Sequence, residues 1–242
     1  MSDAGLPALD GIPVVQVEWP GAVRIIRSLF PPIDLFEDIA DPADWPLILS
    51  GEQKTNPRVM ESVGNLALVP PQRRVSGPGA TWMMAPFTHA SPDRPSRFSD
   101  GRFGVLYAGD SFEVALFETI HHHARFMAAT RERPGWTSQF REIRLDVHAR
   151  LHDLQGLDPA HASVLAPDDY SASQWLGANL KGAGSEGVVY PSVRYPSGRC
   201  VGLFYPDAAS NPVQGRHLDY HWNGERVDLY RDLTRGEVFR IV

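Results

Sequence analysis

The chain has a single cysteine, Cys200, so an intramolecular disulfide is impossible and no cysteine zinc cluster can form. It has no apolar run near the ~20 residues a membrane-spanning helix needs; the stretch 65–70 is typical of its longest. Residues 1–20 carry acids and prolines where a secretory leader needs a basic start and an apolar core, so a cytoplasmic chain without membrane attachment is expected. Positive charge is in deficit: 23 Lys and Arg against 29 Asp and Glu give a net charge of −6. That balance argues against a protein whose affinity rests on many phosphate contacts, and no direct nucleic-acid partner is expected. Neither a Walker A loop nor a Gly-x-Ser-x-Gly elbow occurs, and no internal repeat is visible.

What is present is an ordinary globular composition, 43% hydrophobic, with 21 glycines and 21 prolines that imply many turns and long ordered loops. Residues 1–20, with Pro7, Pro13 and Pro20, read as a loose leader, and 21–242 as a single domain. Residues 23–27 form the first β-favouring run, and the pattern turns helical between Pro31 and Gly64, with a start at Asn56 and Pro57. From 70 to 104, Pro, Gly, Ser and Arg dominate without periodicity, which predicts a long functional or mobile loop. A buried strand follows at 103–108. Asp110 and Glu113 have capping-box spacing for a helix running to about Ala128, with Phe112, Ala115, Leu116 and Ile120 on its core stripe. Residues 142–148 alternate strictly, as a half-exposed antiparallel strand does. Ser171 and Gln174 open a helix ending near Gly182; strands follow at 187–190, 200–205 and 236–242, with a hairpin at Asn223 and Gly224. The fold class is α+β.

Several motifs fail on context. Gly182, Gly184 and Gly187 match a dinucleotide fingerprint as letters, but they follow a helix and precede a strand, the reverse of what phosphate binding requires. His121, His122 and His123 are consecutive; on a helix they point about 100° apart and cannot all face one ion. His217 and His221 lie in a strand, where residues four apart are about 13 Å apart. These histidines read as solvated or hydrogen-bonded, and no metal is expected. Arg73 and Arg74 are at best a weak anion patch.

The remaining constellation is Arg97 in a loop, Tyr107 at a strand end and Glu118 in the following helix. Glu118 is offset by two from Leu116 and Ile120, so it flanks the apolar stripe, where a carboxylate can point into a cleft; a solvated helix glutamate is the plain alternative. Arg24 interrupts an apolar strand and demands an anionic partner or a cleft. Ser192 and Arg194 follow a buried strand, where Ser192 could simply bond its own turn. Together these residues offer guanidinium forks, an aromatic ring, a hydroxyl and one carboxylate, a set suited to a ligand with a pyrophosphate and aromatic rings.

In this order and spacing the chain resembles the RES-domain toxins of RES–Xre toxin–antitoxin modules, which take their name from an arginine, a glutamate and a serine. Their pattern is an early Arg-aliphatic strand (Arg24), an Arg-aromatic loop (Arg97, Phe98), a tyrosine ten or eleven residues on (Tyr107), a glutamate eleven beyond (Glu118) and a late Pro-Ser (Ser192). Residues 77–80, 87–89 and 96–100 are similar to the longer, ParT-like subgroup, and Phe98 stands where shorter members carry Trp. The resemblance spans roughly 23–207. It implies an ADP-ribosyltransferase-like fold, small antiparallel or mixed sheets flanked by helices around an NAD cleft.

It also implies that NAD is consumed as a substrate, without a metal. By that analogy Arg24 and Arg97 hold the pyrophosphate, Tyr107 positions the nicotinamide side, and Ser192 bonds the nicotinamide amide or a ribose. Glu118 stabilises an oxocarbenium-like transition state. Glu118, Arg24 and Tyr107 are then catalytic, and Arg24, Arg97, Tyr107, Ser192 and Arg194 bind NAD. The implied activity is transfer of ADP-ribose to a cytosolic protein acceptor. Glycohydrolase or phosphorylase activity, and an inactive NAD-fold binding module, are the alternatives. The implied partner is an Xre-like antitoxin covering or filling the cleft.

Overall fold

The computed structural model describes residues 11–28 and 63–241. Its first strand, β1 (Val14–Arg27), begins earlier than the sequence suggests. Pro20, read as the end of a loose leader, sits instead with Gly21 at a β-bulge between Trp19 and Ala22. Gly21 takes φ 71°, which a glycine adopts without strain, and its N–H donates to Asp146 Oδ1 at 2.8 Å, so the strand passes the proline without breaking. The helical pattern of 31–62, with the Asn56 start, lies outside the described residues.

The described strands are β1, β2 (Leu106–Gly109), β3 (Trp136–Asp153), β4 (Gly187–Pro191), β5 (Arg199–Leu203), β6 (Ala209–Trp222), β7 (Val227–Asp232) and β8 (Glu237–Arg240). They form one mixed sheet in the order β1-β2-β5-β4-β3-β6-β7-β8, in which β1 also pairs with β3. Where small separate sheets were expected, two limbs are hydrogen-bonded into one. The β2–β5–β4 limb meets β1 through Val23↔Gly109, and meets β3 in parallel through His152↔Val188 and Asp153↔Val189. The other limb is antiparallel throughout, β1 pairing with β3 from Val14↔His152 to Arg27↔Phe140.

Three α-helices lie wholly among the described residues: α1 (Ala80–Thr88), α2 (Phe112–Ala128) and α3 (Ser171–Gly182). α1 falls inside the segment read as a long loop. Pro86 and the preceding glycines hide it from a propensity reading, yet Met83, Met84 and Phe87 are buried in the core between the two limbs. Burying such side chains is worth about 1.5–3 kcal/mol each, and the three together exceed proline's penalty of about 3 kcal/mol in a helix interior. α3 packs Leu176 and Leu180 against Val188, Tyr190 and Phe98 on the far face of the β2–β5–β4 limb. Gly177 permits this close approach, because a Cβ there would collide with the Phe98 carbonyl.

α2 decides where the site lies. Its cap is Ser111, one residue after the expected Asp110: the Ser111 hydroxyl accepts from Val114 N at 3.3 Å, while Asp110 accepts from Arg199 N at 2.8 Å. Phe112, Ala115, Leu116, Ile120 and Met127 then pack on Val23 and Ile25 of β1 and on Leu218, Tyr220 and Trp222 of β6. A second stripe beside it, Ala115, Glu118, Thr119, His122 and Arg125, borders a cavity instead of the core.

Candidate active site

The cavity has a volume of about 820 Å³, within the range of about 300–1,000 Å³ that small-molecule sites occupy. Its walls come from β1 (Val23 to Ile25), the loop 95–97, the end of β2, the second stripe of α2 and the loop 168–171 leading into α3. Four of the six residues expected from the sequence, Arg24, Arg97, Tyr107 and Glu118, are brought together in these walls.

Glu118 is held from behind. Ser192, 4% exposed, donates its hydroxyl proton to Glu118 Oε1 at 2.7 Å. The Ser192 oxygen accepts in turn from the N–H groups of Arg194 at 3.2 Å and Tyr195 at 3.0 Å. The Cys200 thiol also approaches Oε1, at 3.9 Å, and burial pushes its pKa up, so it stays protonated. Among the described residues no donor reaches Oε2. One carboxylate oxygen is thus fixed, and the other is free for a ligand.

Arg24 reaches in from β1 and donates from Nη1 to the Tyr107 carbonyl at 3.0 Å. No carboxylate among the described residues pairs with it, and desolvation draws its guanidinium down to about 10. A cation stripped of water without a counter-charge is an anion site in waiting. Tyr107 serves differently from expectation. Its hydroxyl accepts from Phe98 N at 2.9 Å and pairs with Ser96 Oγ at 2.9 Å, and burial raises the phenol to about 12. The hydroxyl therefore shapes the 96–98 loop, while the residue borders the cavity.

Arg97 is buried and committed to the loop opposite. It donates to the Ala166 carbonyl at 2.9 Å and its guanidinium lies 4.5 Å from the Tyr170 ring centroid. Ser192 and Arg194 are not in the walls. Ser192 stands behind Glu118, and Arg194 donates to the Pro167 carbonyl at 2.6 Å and to Asp168 Oδ1 at 3.1 Å. Asp168 also lies 3.8 Å from both His121 Nε2 and Arg125 Nη1. The loop 166–170 is thus tethered to the cavity rim by cations from three elements.

The sequence reading missed residues of two kinds. Tyr170 and Gln174, whose side-chain amide donates to the Ser96 carbonyl at 2.9 Å, reach the site only through the approach of α3. His122 was legible: it lies one turn after Glu118 and shares its face. Its neighbours do other things. His121 points to Asp168, while His123 is buried among Phe126, Phe140 and Tyr220, its pKa lowered to about 4 by burial. The other histidine pair is hydrogen-bonded, His217 to Gln214 and His221 to Asp228.

Residues 71–223 match the family model of the RES domain. The chain is 29% identical over 208 residues to an uncharacterised protein, y4oC, of Sinorhizobium fredii (strain NBRC 101917 / NGR234), covering 85% of this chain and 84% of that protein. Among solved structures it matches a chain of the M. tuberculosis MbcT–MbcA toxin–antitoxin complex at 12% identity and a TM-score of 0.41, over 84% of this chain and 86% of the other.

Proposed function

This chain belongs to the RES-domain family, and on that premise we propose that it is the cytoplasmic toxin of a toxin–antitoxin pair and breaks the nicotinamide–ribose bond of NAD. The observation that carries the reading is the Glu118 carboxylate, one oxygen anchored by buried Ser192 and the other, among the described residues, unpaired, in a cavity whose Arg24 has no carboxylate partner among those residues. Nicotinamide leaves a cationic ring as a neutral molecule, so departure needs no general acid. What needs stabilising is the positive charge left on the ribose. A pre-oriented carboxylate does this without reorganising as the bond breaks. Arg24 supplies the fork for the pyrophosphate, and Tyr107 and Tyr170 offer aromatic faces for the rings.

A long mobile loop over 70–104 would favour transfer of ADP-ribose to a protein. With α1 packed in the core, only residues 95–97 of that segment border the cavity. The proposal therefore commits to bond cleavage, and one assay separates the acceptors. Purified protein is mixed with NAD labelled in the ADP-ribose half, with and without phosphate and with and without cell extract. Label on a protein band identifies transfer, free ADP-ribose identifies hydrolysis, and ADP-ribose 1″-phosphate identifies phosphorolysis. Nicotinamide release that Glu118→Gln abolishes supports the proposal. An inert wild type, or a Glu118→Gln variant equal to it in every channel, overturns it and leaves the inactive binding module. The antitoxin, an Xre-like protein, is expected to suppress whichever channel is active by covering or filling the cavity.

A further inference from the structure

Cleavage produces an electrophilic ribose, and an acceptor that attacks through O–H or N–H must lose a proton. Resting on the cleavage reading above, we propose that His122 is the base that takes this proton. It lies four residues after Glu118 on α2, so both side chains emerge from one face of the helix, and both border the cavity. Its ring meets that of His121 edge-on at 5.4 Å, and among the described residues neither of its nitrogens has a hydrogen-bond partner.

The other titratable groups of the cavity are engaged. Glu118 Oε1 holds the Ser192 proton, and Tyr107 keeps its own with its hydroxyl in the 96–98 loop. The Cys200 thiol is protonated and turned to Glu118. Asp168 is paired with Arg194, and Asp169 accepts from Ser171 N at 2.9 Å, which lowers its basicity. Among the described residues lining the cavity, His122 is the nitrogen base with a free lone pair, while the open Oε2 of Glu118 is needed at the ribose cation. Its charged surroundings are Glu118 and Arg125 on its own helix, Arg97 from the 95–97 loop, Arg194 from the turn after β4, and Asp168 across the rim. Burial lowers its pKa, the three arginines add to the lowering, and Glu118 opposes it, so the ring is neutral at pH 7.

The step balances as follows. The ribose C1″–N bond breaks with its electron pair going to nicotinamide, which leaves neutral. The acceptor oxygen or nitrogen bonds to C1″, and its proton passes to the unprotonated nitrogen of His122. A nucleophile that is already an anion needs no base, which gives the test. Nicotinamide release from NAD is measured for wild type, His122→Gln and His122→Ala, with water alone and with sodium azide. The substitutions should slow hydrolysis by about 100-fold or more, the usual contribution of a general base, while azide-dependent release falls no more than about 3-fold.

Wild-type hydrolysis should lose rate as acid protonates His122, and azide-dependent release should lack that limb over the range where azide stays ionised. Equal losses in both channels would make His122 a substrate-holding or structural residue, and no loss in either would remove it from the reaction; both overturn the inference while leaving cleavage intact. Should the variants fail to fold, the wild-type pH profiles decide: an identical acidic limb with water and with azide overturns the inference. A wild type that releases no nicotinamide to water or azide overturns the cleavage reading together with it.

Discussion

Replacing Ser192 with Ala removes three hydrogen bonds at once, and the structure allows their weights to be separated. The bond to Glu118 Oε1, 2.7 Å long and made by a residue 4% exposed, is a hydroxyl donating to a carboxylate, worth about 1.5–3 kcal/mol. The two bonds accepted from Arg194 N and Tyr195 N close the turn after β4 and are worth about 1 kcal/mol each. The variant should lose about 3–5 kcal/mol in all, which for a chain of this size lowers Tm by about 6–20 °C. Only the first bond depends on Glu118. A double-mutant cycle in urea between Ser192→Ala and Glu118→Ala should therefore return a coupling energy of about 1.5–3 kcal/mol, free of the turn contribution. Kinetics read the same contact. Ser192 stands behind the carboxylate, so Ser192→Ala should lower kcat and leave the KM for NAD within about 2-fold. A coupling energy below about 0.5 kcal/mol would mean that the two side chains do not meet. A raised KM with unchanged kcat would place the hydroxyl on the substrate, as the family resemblance first implied.

Arg24→Met removes a desolvated cation that has no carboxylate partner among the described residues, so stability should hold or rise while the KM for NAD rises about tenfold or more; a destabilised variant with unchanged KM would refute this. Tyr107→Phe strips an acceptor from Phe98 N and a partner from Ser96 Oγ, and should cost about 1–3 kcal/mol with faster hydrogen exchange at the Phe98 amide. The same phenol should titrate only near pH 12 in ultraviolet difference spectra. His123 has a folded pKa of about 4 against 6.5 when unfolded, so its neutral form favours the fold. That contribution is complete above pH 6.5 and is lost as pH falls towards 4, on the order of 3 kcal/mol, and His123→Phe should flatten the acid limb of Tm against pH.

Where one chemical pattern ran unbroken, the sequence could be read directly. The stripe from Phe112 to Ile120 located α2, the alternation of 142–148 located β3, and Asn223 with Gly224 located the β6–β7 turn. The failures share a cause. Pro20 and Pro86 look like breakers, and each is accommodated by something distant in sequence: a bulge opposite β3 for the first, burial of Met83, Met84 and Phe87 for the second. The cap at Ser111 was mistaken for Asp110 because the aspartate is claimed by Arg199, eighty-nine positions away. In the site, spacing brought out Arg24, Arg97, Tyr107 and Glu118, which share one cavity. What spacing could not show is the use of each polar group. The Tyr107 hydroxyl, the Ser192 hydroxyl and the Arg194 guanidinium all turn inward to protein partners that only folding supplies. His122 was set aside because the three histidines were judged as metal ligands, when the informative spacing was its distance of four from Glu118.

The arginines around the cavity illustrate the same point in terms of charge. A chain of net charge −6 that is to bind anionic NAD must concentrate its cations; the resemblance gave the pyrophosphate to Arg24 and Arg97 and placed Arg194 among the NAD-binding residues. Folding divides them. Arg97 and Arg194 are tied to the carbonyls of Ala166 and Pro167, Arg194 also to Asp168, and both serve to fix the 166–170 loop along the rim. Among the described residues Arg24 has one carbonyl partner and no counter-charge, so most of its hydrogen-bonding capacity remains for an anion. Among the described residues Arg125 meets only Asp168, at 3.8 Å, and with a side chain 54% exposed that pair is weak. Anion affinity should therefore depend steeply on Arg24, whereas replacing Arg97 or Arg194 should act through the loop, raising its proteolytic sensitivity before it changes the affinity for NAD.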